Sequence, residues 1–115
     1  MTAATLLGAA ACGGGGGGTA ARVSFRHQIQ PIFDRSCVTC HPVAYPYLDL
    51  RRGRSYAQLV RVSSRTAPSY ERVVPGRPGL SYLLIHPPDP SRRHLLTRGE
   101  RALIATWIRQ GASDN

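Results

Sequence analysis

Cys37-Val38-Thr39-Cys40-His41 is the segment of this 115-residue chain where residue types and spacing together point to chemistry. Two thiols separated by two residues fall close to one helical turn apart, on one side of the backbone. The histidine after the second thiol adds an imidazole at the end of that turn. Covalent haem attachment asks for this set: two thiols for the two vinyl groups at the porphyrin edge, and an imidazole for the iron from below. A redox-active dithiol of the thioredoxin type uses the same cysteine spacing, and so does half of a zinc site.

The surroundings separate these readings. A thioredoxin-like domain needs a strand before the motif, and no strand pattern precedes Cys37. A zinc site needs a second ligand pair, whereas the remaining histidines, His27, His86 and His94, are scattered. The expected cofactor is therefore one covalent haem c, bonded to Cys37 and Cys40, with His41 as the proximal iron ligand. A third cysteine, Cys12, makes the count odd, so a disulfide framework explains the cysteines poorly.

Helices must position this motif. Val23, Phe25, Ile29, Ile32 and Phe33 recur along one helical face, with Ser24 as N-cap and Pro31 as the place where the helix kinks or restarts. Near the other end, Thr97 and Glu100 have capping-box spacing, Leu103, Ile104, Trp107 and Ile108 form an apolar stripe, and Gly111 is a C-terminal stop. Between them, eight prolines from Pro42 to Pro90 mark a loop-rich middle. The expected fold is all-α, with three to five short helices around one haem and long proline-rich connections. Two terminal helices, the first followed by the attachment motif, are the plan of a class I cytochrome c.

From Phe25 to Ala112 the sequence resembles the small bacterial cytochrome c domains of the planctomycete and myxobacterial type. Three stretches carry the resemblance. The first is Ile29-Gln30-Pro31-Ile32-Phe33, before Cys37. The second holds Leu48-Asp49-Leu50, Ser55-Tyr56-Ala57-Gln58-Leu59-Val60, Val73-Val74-Pro75-Gly76, Pro78, Ser81 and Leu83-Leu84. The third runs from Leu95-Leu96-Thr97 and Glu100 to Trp107-Ile108-Arg109-Gln110-Gly111-Ala112. The resemblance implies a mono-haem electron carrier whose terminal helices cross above the haem. The family commonly supplies a methionine as sixth iron ligand, in a Met-Pro-Pro-like loop before the last helix. Here the chain departs, because its one methionine is Met1.

A histidine is then the expected sixth ligand. His94 stands about where the family's methionine would fall and comes first. His86, followed by Pro87 and Pro88, comes second, with His27, water or an open position behind them. A second imidazole favours ferric iron and lowers the potential relative to a methionine-ligated relative. Saturated coordination also argues against catalysis, so the expectation is a carrier and not an enzyme. The alternative function is a small-ligand (gas) sensor module with a displaceable sixth ligand. Trp107 is expected in the core. Tyr45, Tyr47, Tyr56, Tyr70 and Tyr82 are candidates to line the crevice. Arg51, Arg52 and Arg54 are candidates for propionate pairing or docking, with a solvated loop as the plainer reading.

Residues 1–21 read as an address and a leash. Leu6 and Leu7 open a short apolar run, and small residues lead into Cys12 as at a bacterial lipoprotein cleavage site. Gly13 to Gly18 then form a flexible tether. Cys12 is expected to carry a lipid that holds an exported domain, residues 22–115, at the periplasmic side of the cell envelope; the plainer alternative is a Gly/Ala tail with an incidental cysteine. The apolar run is too short to span a bilayer. Lys+Arg number 15 against Asp+Glu 6, a formal net charge of +9, and every cation is arginine. That charge suits redox partners with acidic docking surfaces, although scattered arginines also simply solvate a surface. No clustered basic run with interleaved aromatics suggests nucleic acid.

Overall fold

A computed structural model describes residues 21–85 and 96–115. The described chain is mostly helical, as expected, with three isolated β-bridges and no longer strand pairing among these residues. Ser24 opens the first helical segment, its hydroxyl accepting from the His27 amide. A wide π-type turn, Phe25–Ile29, leads into α1, Gln30–Ser36. Pro31 sits in the first turn of α1, where an amide N–H has no helical partner to lose. The restart expected at Pro31 is thus real, and it takes the form of a change from a wide turn to a regular helix. A second wide turn, Thr39–Ala44, carries the motif, and α2 is Ser55–Leu59. A 3-10 turn, Pro78–Leu80, precedes α3, Tyr82–Ile85, and α4 is Arg98–Arg109.

The apolar faces read from the sequence meet in one core. Val23, Phe25, Ile29, Ile32 and Phe33 are buried against Ile104, Trp107 and Ile108, with Leu50, Leu59 and Val73 completing the cluster. The Phe25 ring lies 5.0 Å from the Trp107 indole, between centroids, so the first helical turn packs on α4. Both ends of α4 are closed. Thr97 and Glu100 make a reciprocal capping box at the start. Gly111 ends the helix at φ +108°, a backbone conformation that side-chain-bearing residues rarely adopt.

Polar groups fasten the two ends of the domain. The Val23 amide donates to Gln110 Oε1 at 2.8 Å, and the Phe25 amide to Asn115 Oδ1 at 2.9 Å. Arg35 at the end of α1 forms an ion pair with Glu100 in the first turn of α4. Gln30 is the buried polar hub: its amide donates to the Leu50 carbonyl at 2.9 Å and accepts from the Ser55 hydroxyl. That hub binds α1 to the chain that returns after the motif and to α2. No helix among the described residues is long and apolar enough to cross a membrane.

Candidate functional site

The motif grows directly out of α1. The Cys37 amide donates to the Phe33 carbonyl at 2.8 Å, and the His41 amide to the Cys37 carbonyl at 2.8 Å. Cys37, Cys40 and His41 therefore share one helical turn, as their spacing predicts. Both cysteines are free thiols. Burial, and then the neighbouring Cys40, pushes the Cys37 thiol up to about 11. An attacking thiolate in a redox-active dithiol needs the opposite shift. A helix, not a strand, precedes the motif, so neither mark of a thioredoxin-like site is present among the described residues.

His41 faces a crevice. Its chain turns back on itself after the motif, and the Leu50 amide donates to the His41 carbonyl at 3.2 Å, fixing the backbone there. The crevice is small, with a cavity volume of about 40 Å³, and opens to solvent. Leu48, Leu59 and Leu83 supply apolar walls, with Tyr47 and Tyr82 beside them. The imidazole stacks near Tyr45 and Tyr47, at 5.6 and 6.1 Å between centroids. At its polar end the crevice is lined by Ser64, Arg65, Thr66 and Arg72.

The backbone holds this polar end in place. The Arg72 amide donates to the Val62 carbonyl at 2.7 Å, and the Arg72 carbonyl accepts from the Leu83 amide at 2.9 Å. The Ser64 amide donates to the Tyr70 carbonyl at 2.8 Å, so residues 60–73 double back as an irregular hairpin. Arg65 lies near its tip, with its guanidinium carbon 5.8 Å from the centre of the Tyr47 ring.

Other expected residues fall elsewhere. Of the five candidate tyrosines, Tyr47 and Tyr82 line the crevice. Tyr56 instead joins the core beside Phe25 and Trp107 and donates to the Ala112 carbonyl at 2.7 Å. Tyr70 stacks on Tyr82 behind the wall, and Tyr45 is exposed beside His41. Arg51, Arg52 and Arg54 are exposed and already engaged by carboxylates: Arg51 and Arg54 share Asp49, and Arg52 pairs with Asp34 of α1. His27 is exposed on the first turn and does not line the crevice. Cys12, His86 and His94 lie outside the described residues.

Among the described residues no group of three His, Cys, Asp or Glu side chains converges on a metal-sized point. Haem iron asks less of this segment, since the porphyrin supplies four nitrogens and the motif one imidazole. The donor set suits that group: two thiols on one turn, an imidazole at its end, and apolar walls for a flat macrocycle. The residues missed by sequence reasoning are Arg65 and Arg72. Nothing local marks them, since their placement depends on pairings from Leu59 to Leu83.

Compared with protein-family models, with curated proteins and with solved structures, the chain matches none.

Proposed function

We propose that this chain is a mono-haem c-type cytochrome of the small class I-like bacterial kind, carrying electrons at the cell envelope. The observation that carries the reading is the union of Cys37, Cys40 and His41 on one helical turn with an apolar crevice that His41 lines. Cys37 and Cys40 would hold the haem covalently, the S–H of each thiol being added across one vinyl C=C so that a C–S and a C–H bond replace it with no external oxidant. His41 would ligate the iron, its backbone fixed beside the crevice by the bond from the Leu50 amide. The haem supplies a one-electron couple when bound. The chain's own residues do the rest: Leu48, Leu59 and Leu83 exclude water, and Tyr47 and Tyr82 frame the pocket.

No substrate-binding step belongs to this function; transfer is outer-sphere, and the protein is a carrier and not an enzyme. His94 is proposed as the residue that would hold the iron together with His41, with His86 as the alternative. Cys12 is proposed as the lipid anchor of a periplasmic or envelope lipoprotein. The partners are redox proteins with acidic docking surfaces, drawn by the excess of arginine.

The test is an optical spectrum, oxidised and reduced, of the full chain matured with a haem-attachment system. Sharp low-spin bands in the parent that become high-spin in His94→Ala support bis-histidine ligation. A low-spin His94→Ala beside a high-spin His86→Ala transfers the role to His86. A parent that is already high-spin and binds carbon monoxide readily on reduction overturns the carrier and favours a sensor.

A further inference from the structure

Arg72 is in an unusual position for a cation. It is 9% exposed, and no carboxylate pairs with it among the described residues. Its guanidinium donates to the Gln58 carbonyl at 2.8 Å and to the Tyr47 carbonyl at 3.4 Å. A guanidinium carries five N–H donors, so donors remain beyond those two contacts. Removing a cation from water without a counter-charge is costly, and burial indeed pushes Arg72 below the usual arginine range. The nearby cation, Arg65, adds to the imbalance instead of relieving it.

The crevice that Arg72 lines has the same imbalance. Arg65 and Arg72 line it together with Ser64 and Thr66, and no acidic residue lines it among the described residues. Arg51 and Arg54, by contrast, share the Asp49 carboxylate, and Arg52 has Asp34. A buried guanidinium with spare fork-shaped donors, beside the exposed Arg65, suits a carboxylate ligand, which it can grip through two parallel hydrogen bonds. Both sides of the Arg72 backbone are hydrogen-bonded, to Val62 and to Leu83, so the site is built before any ligand arrives.

We propose that Arg72, with Arg65 beside it, grips the propionate carboxylates of the haem whose iron His41 ligates, making this end of the crevice the cofactor's anionic lock. The assignment rests on the haem reading above and adds to it which residues orient the macrocycle. Arg72 is a positioning residue: the propionate supplies the counter-charge it lacks, and the pairing sets the rotation of the ring within the crevice. It also stabilises the reduced state, since ferrous haem carries one more negative charge than ferric haem.

The experiment uses the full chain matured with haem, in the parent and in Arg72→Met, Arg72→Lys and Arg65→Met. Covalent haem is counted by mass under denaturing conditions, the midpoint potential is titrated, and propionate bending bands are read by resonance Raman. The expected result is one covalent haem throughout, with a lower potential and shifted propionate bands in Arg72→Met. Arg72→Lys restores part of both, and Arg65→Met moves both in the same direction by less. If Arg72→Met keeps its haem with the parent's potential and bands, the lock is refuted while the cytochrome reading stands. Should Arg72→Met not fold, parental values in both Arg72→Lys and Arg65→Met refute it equally. A parent without covalent haem removes the cytochrome reading itself, and the lock with it.

Discussion

At the scale of single residues, Asp49 shows how a local charge cluster governs acid stability. Arg51 donates to its carboxylate from the side chain at 2.9 and 2.8 Å and from the backbone at 3.0 Å, and Arg54 lies close by. The Arg51 side-chain hydrogen bond is the main cause that holds the Asp49 carboxyl down at about 2. A depressed carboxyl stabilises the fold above its unfolded value near 4, and that stabilisation is lost as pH falls through about 2. Unfolding midpoints measured from pH 5 to pH 2 should therefore fall less steeply in Asp49→Asn than in the parent. Equal acid limbs would show that the cluster is screened into irrelevance.

The same residue scale divides what the sequence reveals from what it conceals. Cys37, Cys40 and His41 are legible because the demand they meet is local: one turn of helix sets the spacing. Arg51, Arg52 and Arg54 look like anion ligands by adjacency alone, yet Asp49 and Asp34 already take them. Arg72 looks like any other arginine. Its burial follows from contacts with Gln58, Tyr47, Val62 and Leu83, none of which is encoded next to it.

At the scale of elements, α4 rests on its cap and on its buried stripe. Thr97→Ala removes one side of the capping box and should cost about 1 kcal/mol, read by chemical denaturation. Trp107→Ala should cost about 3–5 kcal/mol in the same measurement, because the indole is 1% exposed and packs on Phe25 and Tyr56. A loss for Trp107→Ala no larger than for Thr97→Ala would contradict the packing of the first helical turn on α4. Both helices are legible because periodicity and caps are short-range signals: Ser24, Thr97, Glu100 and Gly111 each act within a turn. The irregular hairpin of residues 60–73 is not legible, since its form rests on bonds between residues distant in sequence, such as those from Arg61 to Val73 and from Leu83 to Arg72.

At the scale of the whole molecule, charge is the dominant feature. A formal net charge of +9 sets up a field that draws anions and repels cations. The second-order oxidation of the reduced protein by a small anionic oxidant should slow by about tenfold or more from low to high salt. A cationic oxidant should show the opposite trend. Rates insensitive to salt with both reagents would mean that the arginines are too dispersed to steer encounter. The described acids already engage part of that charge: Asp34, Asp49 and Glu100 each hold at least one arginine, leaving the crevice arginines without a carboxylate among the described residues.

Everything proposed for this molecule depends on a covalent bond between protein and porphyrin. The decisive measurement is the mass of the full chain, denatured in acid, after expression with a haem-attachment system. The parent should gain the mass of one haem, and the doubly substituted Cys37→Ser/Cys40→Ser protein should gain none. A parent of polypeptide mass with both thiols open to alkylation would contradict the cytochrome reading outright.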